Sequence, residues 1–215
     1  MAENGSSQTV FAVPRGFTVN ASSIKQQSVQ LTAPINNLLT NQGSVTFQWG
    51  SLFGANKYQL EIDTNNFINE TAAVYNQVIP SQQVNFTLLK DQTYQWRVKA
   101  QNDTAQAQWS AIYVVTYDHT PPGQVLLSSP ADAVTVSSPV PLQWNTDPTA
   151  VKYKLYVYKS DGVTLLSSSF PMPLTATSYS FTQGSSGSKY YWSVTALDAA
   201  GNESGAGTAR SFSIQ

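Results

Sequence analysis

The chain repeats one pattern of residues at an interval of about 95 positions, and this repeat limits its possible folds more than any other feature. Trp49 and Trp144 are 95 positions apart and lie in the matching segments VTFQWGSLFGANKYQLEI and VPLQWNTDPTAVKYKLYV. Trp96 and Trp192, 96 positions apart, lie in TYQWRVKAQN and KYYWSVTALD. Solenoid repeats are about 20–50 residues long, whereas this period matches a small domain. The sequence therefore predicts two copies of one domain.

The composition of the chain argues against several classes of partner and of chemical site. Charged residues make up 11% of it and the net charge is −1, without a basic run, so we expect no nucleic-acid partner. Cysteine is absent, which excludes disulfides, thiolate metal sites and a cysteine nucleophile. No apolar stretch reaches about 18 residues, so we expect no membrane span.

The N-terminal segment, residues 1–28, lies outside the repeat. Its start, MAENGSSQTV, lacks the charged and apolar regions of a signal peptide. It contains one short apolar run, Val10–Val13, which Pro14 ends. Two interpretations stay open: a tether, or an extra edge strand on the first domain. A removed export signal or a lipid anchor on a preceding segment also stays open.

Alternation of apolar and polar residues predicts that both copies are built from β-strands. Val45, Phe47 and Trp49 alternate with polar residues, and the same period of two runs through 58–63 and 94–101. Short strands separated by turns are typical of a β-sandwich or barrel. No amphipathic helix is predicted.

A short proline-containing linker separates the two copies. Asp118 to Gly123 reads DHTPPG, and two consecutive prolines cannot extend a strand ladder. We therefore place one domain at residues 29–118 and the other at residues 119–215. A linker this short and stiff does not allow the domains to tumble freely.

The repeated residues resemble those of a fibronectin type III domain. In the first copy the matching positions are Trp49, Gly54–Ile62, Phe67, Leu88, Tyr94–Asn102 and Trp109–Ser110. In the second copy they are Trp144, Ala150–Val157, Tyr190–Asp198 and Ala200–Ser204. The likeness covers about residues 28–215. The form is similar to tandem modules of bacterial, Bacteroidetes-like secreted or cell-surface proteins.

The resemblance implies an all-β fold: two tandem immunoglobulin-like (fibronectin type III) β-sandwiches, each of seven antiparallel strands. It implies a tyrosine corner at Tyr94. It also implies that four tryptophans are buried: Trp49, Trp96, Trp144 and Trp192. The second copy departs from the pattern at Gly184, which stands in place of Leu88, and at Gly205, which stands in place of Trp109. We therefore expect a looser lower core in the second domain.

Few residues suggest catalysis. The one histidine, His119, lies in the linker, whereas a catalytic triad needs its histidine on a rigid scaffold beside a nucleophile. Glu61 and Asp63 share a strand face, but we expect Arg97 and Lys99 on the neighbouring strand to neutralise them. We predict a protein that is not an enzyme and has no catalytic residues.

A metal site is not expected either. Asp198, Asn202 and Glu203 lie close together in the sequence but lack the spacing of a calcium loop. Gly201 followed by Asn202 is interpreted instead as a hairpin turn. We predict no metal and no cofactor.

The two copies differ most on one outer face. In the first copy the outward residues of the two central strands are charged or amide side chains, which predicts a plain solvated face. The matching positions of the second copy include Lys154, Tyr156, Tyr158 and Tyr191, here called the tyrosine face. Exposed tyrosines suit sugar stacking or a protein hot spot. The alternative is that they form cross-strand pairs that only brace the sheet.

Three functions follow as hypotheses. The first is a non-catalytic extracellular or cell-surface binding or adhesion module of a bacterial envelope, monomeric, whose partner is a glycan or another protein. The second is a structural spacer or assembly component of a surface complex. The third is an accessory module of a glycan-utilisation system. The tyrosine face separates the first hypothesis from the second.

Overall fold

The computed structural model describes residues 23–215 and shows two β-sandwiches in tandem. Of the predicted N-terminal segment, residues 1–22 lie outside the described residues. The remainder forms a 3₁₀ helix at Ile24–Gln26, followed by Gln27, whose carbonyl accepts a hydrogen bond from the Gln108 amide at 2.9 Å. A second 3₁₀ helix spans Glu70–Ala72.

The first sandwich contains nine strands, which are divided between two sheets. They are β1 (Leu31–Ala33), β2 (Leu38–Thr40), β3 (Ser44–Trp49), β4 (Lys57–Asp63), β5 (Tyr75–Ile79), β6 (Gln83–Thr87), β7 (Gln92–Gln101), β8 (Gln106–Trp109) and β9 (Tyr113–Tyr117). One sheet has the order β1-β3-β6. The other has the order β2-β9-β7-β4-β5, with β8 also paired to β7.

The second sandwich contains eight strands and repeats this topology. They are β10 (Leu127–Ser129), β11 (Val134–Val136), β12 (Val140–Trp144), β13 (Lys152–Tyr158), β14 (Met172–Leu174), β15 (Ser178–Phe181), β16 (Lys189–Leu197) and β17 (Arg210–Ile214). The sheet orders are β10-β12-β15 and β11-β17-β16-β13-β14. Both domains are therefore all-β, as expected.

The expectation of seven purely antiparallel strands per domain is wrong in two respects. The first strand of each domain divides at a proline, Pro34 or Pro130, and its second half pairs in parallel with the last strand of the opposite sheet. Proline has no N–H to continue the first ladder. In the first domain the last strand also divides, into β8 and β9, and after β8 the Ser110 hydroxyl accepts a hydrogen bond from the Val98 amide at 3.0 Å.

Each sandwich has its own hydrophobic core, and the four tryptophans are buried in these cores as predicted. The Trp96 ring meets Phe47 edge to face at 5.1 Å between centroids. The tyrosine corner is also confirmed: the Tyr94 hydroxyl donates to the Lys90 carbonyl at 3.1 Å and accepts from the Lys90 amide. The division between residues 118 and 119 itself remains a prediction.

The prediction of a looser lower core in the second domain is wrong at Gly184. A Cβ atom built there would lie 2.0 Å from Cδ1 of Ile214 and 2.9 Å from Cε1 of Phe181. These two side chains pack directly against Gly184, so an added methyl group would force them to shift. Nor does Gly205 open the core, because Trp109 lies on the outer face of the first sandwich with Lys99 over its ring.

We expect Gly184→Ala to destabilise the second sandwich by about 1–3 kcal/mol, the usual cost of overpacking a filled core. Thermal or urea unfolding of the whole chain measures this cost. Ile214→Ala removes the atom nearest the new methyl group. It should therefore lower the free energy of unfolding less when it is introduced into the Gly184→Ala variant than when it is introduced into the unchanged chain. Gly205→Ala is the control, since its Cβ would meet only the Gln124 side chain, at 3.4 Å from Nε2. Equal destabilisation by both glycine substitutions would contradict the packing argument.

Candidate functional site

The structure brings the four residues of the tyrosine face together on one side of a sheet. Strands β13 and β16 are neighbours, with Lys154 opposite Thr195, Tyr156 opposite Ser193 and Tyr158 opposite Tyr191. Side chains alternate across a strand, so residues two apart share a face. Tyr153, Leu155 and Val157 accordingly point into the core. That this face binds a ligand remains a prediction.

The tyrosines are less exposed than expected. All three are half-buried, and so is Lys154. The rings of Tyr156 and Tyr158 are nearly parallel, at 9°, with centroids 6.2 Å apart. The Lys189 ammonium lies 4.8 Å from the centroid of the Tyr191 ring. The rings cover one another and the sheet, so the expected exposed cluster is a partly open row.

Glu203 is the central residue of this face, and sequence reasoning considered it only as a calcium ligand. Its Oε2 atom lies 2.5 Å from the Lys154 ammonium. Its Oε1 atom accepts hydrogen bonds from the hydroxyls of Thr195 at 2.6 Å and Tyr156 at 3.1 Å. The carboxylate therefore fixes the positions of two members of the tyrosine face.

The loop between β16 and β17 carries Glu203 onto the face. The Asp198 carboxylate accepts from the Gly201 and Asn202 amides, both at 2.8 Å, and closes a tight turn with Gly201 at φ +94°. The Ser204 hydroxyl then accepts from the Ala196 amide at 2.9 Å. The hairpin turn at Gly201–Asn202 was visible in the sequence. It is the signal that could have located Glu203.

The contacts of Glu203 with its neighbours, together with burial, shift the pKa values of Glu203, Lys154 and Tyr156. Burial alone would raise the pKa of Glu203, but hydrogen bonds from Lys154, Thr195 and Tyr156 outweigh it and hold that pKa below its ordinary value. The stability that Glu203 contributes is therefore present above the ordinary carboxyl pKa and is lost as the pH falls through the folded-state pKa. The hydrogen bond to Glu203 raises the pKa of Lys154, and burial raises that of Tyr156.

The equivalent face of the first sandwich is not the plain solvated face that the sequence predicts. Glu61 and Asp63 are buried there. The Arg97 guanidinium contacts the Glu61 carboxylate at 2.7 Å and lies between the rings of Phe67, at 4.1 Å, and Trp109, at 4.2 Å. The segment between β4 and β5 brings Phe67 over the sheet. The expected neutralisation of Glu61 by Arg97 is confirmed, but as a buried pair. Lys99 does not neutralise Asp63: it lies over the Trp109 ring, and Asp63 accepts a hydrogen bond from the Phe67 amide.

Other residues considered in the sequence lie apart from this face. His119 is exposed in the linker, with its ring 6.2 Å from that of Tyr117.

Within residues 23–215, no group of three or more histidine, cysteine or acidic residues is close enough to hold a metal ion. In the same part of the chain, no helix is long and apolar enough to cross a membrane.

Comparison with known proteins identifies the fold. No protein-family model and no curated protein matches the chain. The solved FN1–FN3 domains of chicken CNTN1 share 13% identity with it at a TM-score of 0.53, over 89% of this chain and 68% of that one. Fibronectin(III)-like modules of Clostridium thermocellum CbhA share 12% identity with it at a TM-score of 0.53, over 87% of this chain and 94% of that one. The fold is fibronectin type III-like. Identities this low establish the fold alone.

Proposed function

We propose that the chain is a non-catalytic binding module at a bacterial cell surface, and that the tyrosine face of its second fibronectin type III-like sandwich holds the ligand, a glycan or another protein. One observation carries this proposal. The first sandwich covers its matching face with its own Phe67 and Trp109, whereas the second leaves a row of tyrosines partly open.

The geometry of the tyrosine face suits binding. Tyr156 is held by Glu203 and stacked on Tyr158, so both rings are fixed before a ligand arrives. A fixed side chain loses little entropy on binding, and tyrosine offers a large contact area with a polar tip. The same face has no grouping that suggests catalysis, because its one carboxylate is engaged by three donors.

The test is the double substitution Tyr156→Ala/Tyr191→Ala, screened on a glycan array and by titration against each glycan that binds the unchanged chain. We expect binding to fall at least about tenfold, since aromatic anchors carry most of an interface's energy, with a small change in melting temperature. The matched control, Gln59→Ala/Gln95→Ala on the first sandwich, should bind normally. Unchanged binding with a lowered melting temperature would mean that the tyrosines only brace the sheet.

A structural spacer is the second candidate, and the joint between the sandwiches favours it. The Asn202 side-chain amide donates to the Asp118 carbonyl at 2.9 Å, and the Thr120 hydroxyl donates to Asp91 at 2.6 Å. The Gly123 amide donates to Asp147 at 3.1 Å. These bonds tie the linker to loops of both sandwiches. A chain that binds no glycan and no surface protein would support this function instead.

A further inference from the structure

All four lysines of residues 119–215 lie on or at the ends of the tyrosine face. Lys152 and Lys154 lie on β13, two residues apart, and therefore share a face. Lys159 follows the end of β13, and Lys189 begins β16, two residues before Tyr191. Because β13 and β16 are antiparallel, Lys159 and Lys189 lie at one end of the face. Lys152 and Lys154 lie at the other end, with the three tyrosines between.

Three of these charges have no partner of opposite sign within ion-pair distance in the described part of the chain. Lys154 pairs with Glu203, but Lys152, Lys159 and Lys189 are exposed and form no salt bridge there. Asp161 and Asp132 lie near enough to Lys159 and Lys189 for their charges to interact, but they form no salt bridge with these lysines. Their hydrogen bonds come from backbone amides: Asp161 accepts from Val163 and Thr164, and Asp132 from Ser211. Of the four lysines at this face, Lys154 alone forms a salt bridge in the described part of the chain, with Glu203.

Two of the three cations on the matching side of the first sandwich form salt bridges. Arg97 is paired with buried Glu61, and Lys57 is paired with Asp103 at 2.9 Å. Lys99 is placed over the Trp109 ring at 4.5 Å. On this side of the first sandwich one of three cations therefore lacks a salt bridge to any described residue, whereas three of four lack one at the partly open tyrosine face.

We infer that the tyrosine face binds an acidic glycan, an extended polysaccharide chain that carries carboxylate or sulfate groups. The inference rests on the proposed function and deepens it. A neutral glycan would stack on the tyrosines but leave the lysines unused, whereas repeated anionic groups along the chain would reach lysines at both ends. The strand from Lys152 to Tyr158 spans roughly 20 Å at about 3.3 Å per residue. That length suits an extended chain better than a small molecule.

The experiment compares charged and uncharged forms of the same polymer. Dextran sulfate is set against dextran, and polygalacturonate against its methyl ester, by titration at low and high salt. We expect the whole chain to bind at least one acidic polymer and neither neutral one, with affinity that falls as salt screens the charges. Binding of the neutral forms as tight as that of the acidic forms, or binding of none, would overturn the inference.

A matched pair of triple variants assigns the binding to this face. Lys152→Gln/Lys159→Gln/Lys189→Gln removes the three unpaired charges and should weaken acidic-polymer binding by about tenfold or more. The control, Lys57→Gln/Lys90→Gln/Lys99→Gln, removes as many charges from the first sandwich. It should change the affinity for the acidic polymer less than about twofold. Equal effects of the two variants would overturn the inference, since binding would then depend on net charge alone.

Two further outcomes separate this inference from the proposed function. If Tyr156→Ala/Tyr191→Ala abolishes glycan binding while the lysine variant binds normally, the proposed function holds and the acidic specificity is wrong. If the tyrosine variant binds acidic polymers normally, both fail. Poly-L-glutamate is the remaining probe: binding as tight as that of polygalacturonate would point to an acidic protein partner and overturn the glycan assignment.

Discussion

Replacing Trp49 with alanine is expected to destabilise the first sandwich by about 3–5 kcal/mol, the usual cost of removing a large buried aromatic. Trp49 is 3% exposed and its ring lies 5.9 Å from that of Tyr58. In a domain of this size, that loss lowers the melting temperature by at least about 12 °C. The second sandwich should keep its own transition, because the two cores share no residue. Calorimetry of the whole chain measures both transitions.

The matched control is Trp144→Ala, which removes the equivalent ring from the second core. It should lower the other transition and leave the first in place. If the unchanged chain melts in a single transition and either substitution lowers it as a whole, the two sandwiches do not unfold independently. The joint, with its hydrogen bond from Asn202 to Asp118, would then couple them.

The second large effect is expected from Arg97→Ala. Glu61 is fully buried and Arg97 is its ion-pair partner at 2.7 Å. Removing the guanidinium leaves a carboxylate in a site with little water, and breaking a buried pair in this way costs about 3–5 kcal/mol. The substitution also removes the stacking on Phe67 and Trp109. Urea unfolding of the first sandwich measures the loss.

A second substitution separates the charge from the packing. Glu61→Gln added to Arg97→Ala removes the stranded carboxylate, so the double variant should be more stable than Arg97→Ala alone. Lys57→Ala breaks the exposed pair with Asp103 and should cost no more than about 1 kcal/mol. If Arg97→Ala costs as little as Lys57→Ala, the buried pair does not stabilise the domain.

The core of each domain could be predicted from sequence because it depends on local rules. A period of two assigns each strand residue to one face or the other, and it puts Tyr58, Leu60 and Ile62 on one face, which is the buried face in the structure. The 95-residue repeat then doubled the evidence. The tyrosine corner followed from the resemblance to the fibronectin type III pattern, and the bond from Tyr94 to Lys90 confirms it.

Gly184 shows where the pattern is insufficient. The first copy has Leu88 at the position of Gly184, so comparison of the two copies predicts unfilled volume in the core of the second domain. In the structure Ile214 and Phe181 pack directly against Gly184. Packing in a core is decided by the sum of neighbouring shapes, and residues that are 30 positions apart in the sequence do not reveal their fit in advance.

The sequence by itself determined two all-β domains, their aligned tryptophans and the side of the sheet on which Tyr156, Tyr158 and Tyr191 lie. Only the tertiary structure decided which outer face stays open. In the first domain Phe67 and Trp109 enclose Arg97, and in the second a loop brings Glu203 onto Tyr156. Alternation along a strand is a property of the local backbone. The covering of a face depends on loops whose positions are set by long-range hydrogen bonds and ring contacts, which no local pattern encodes.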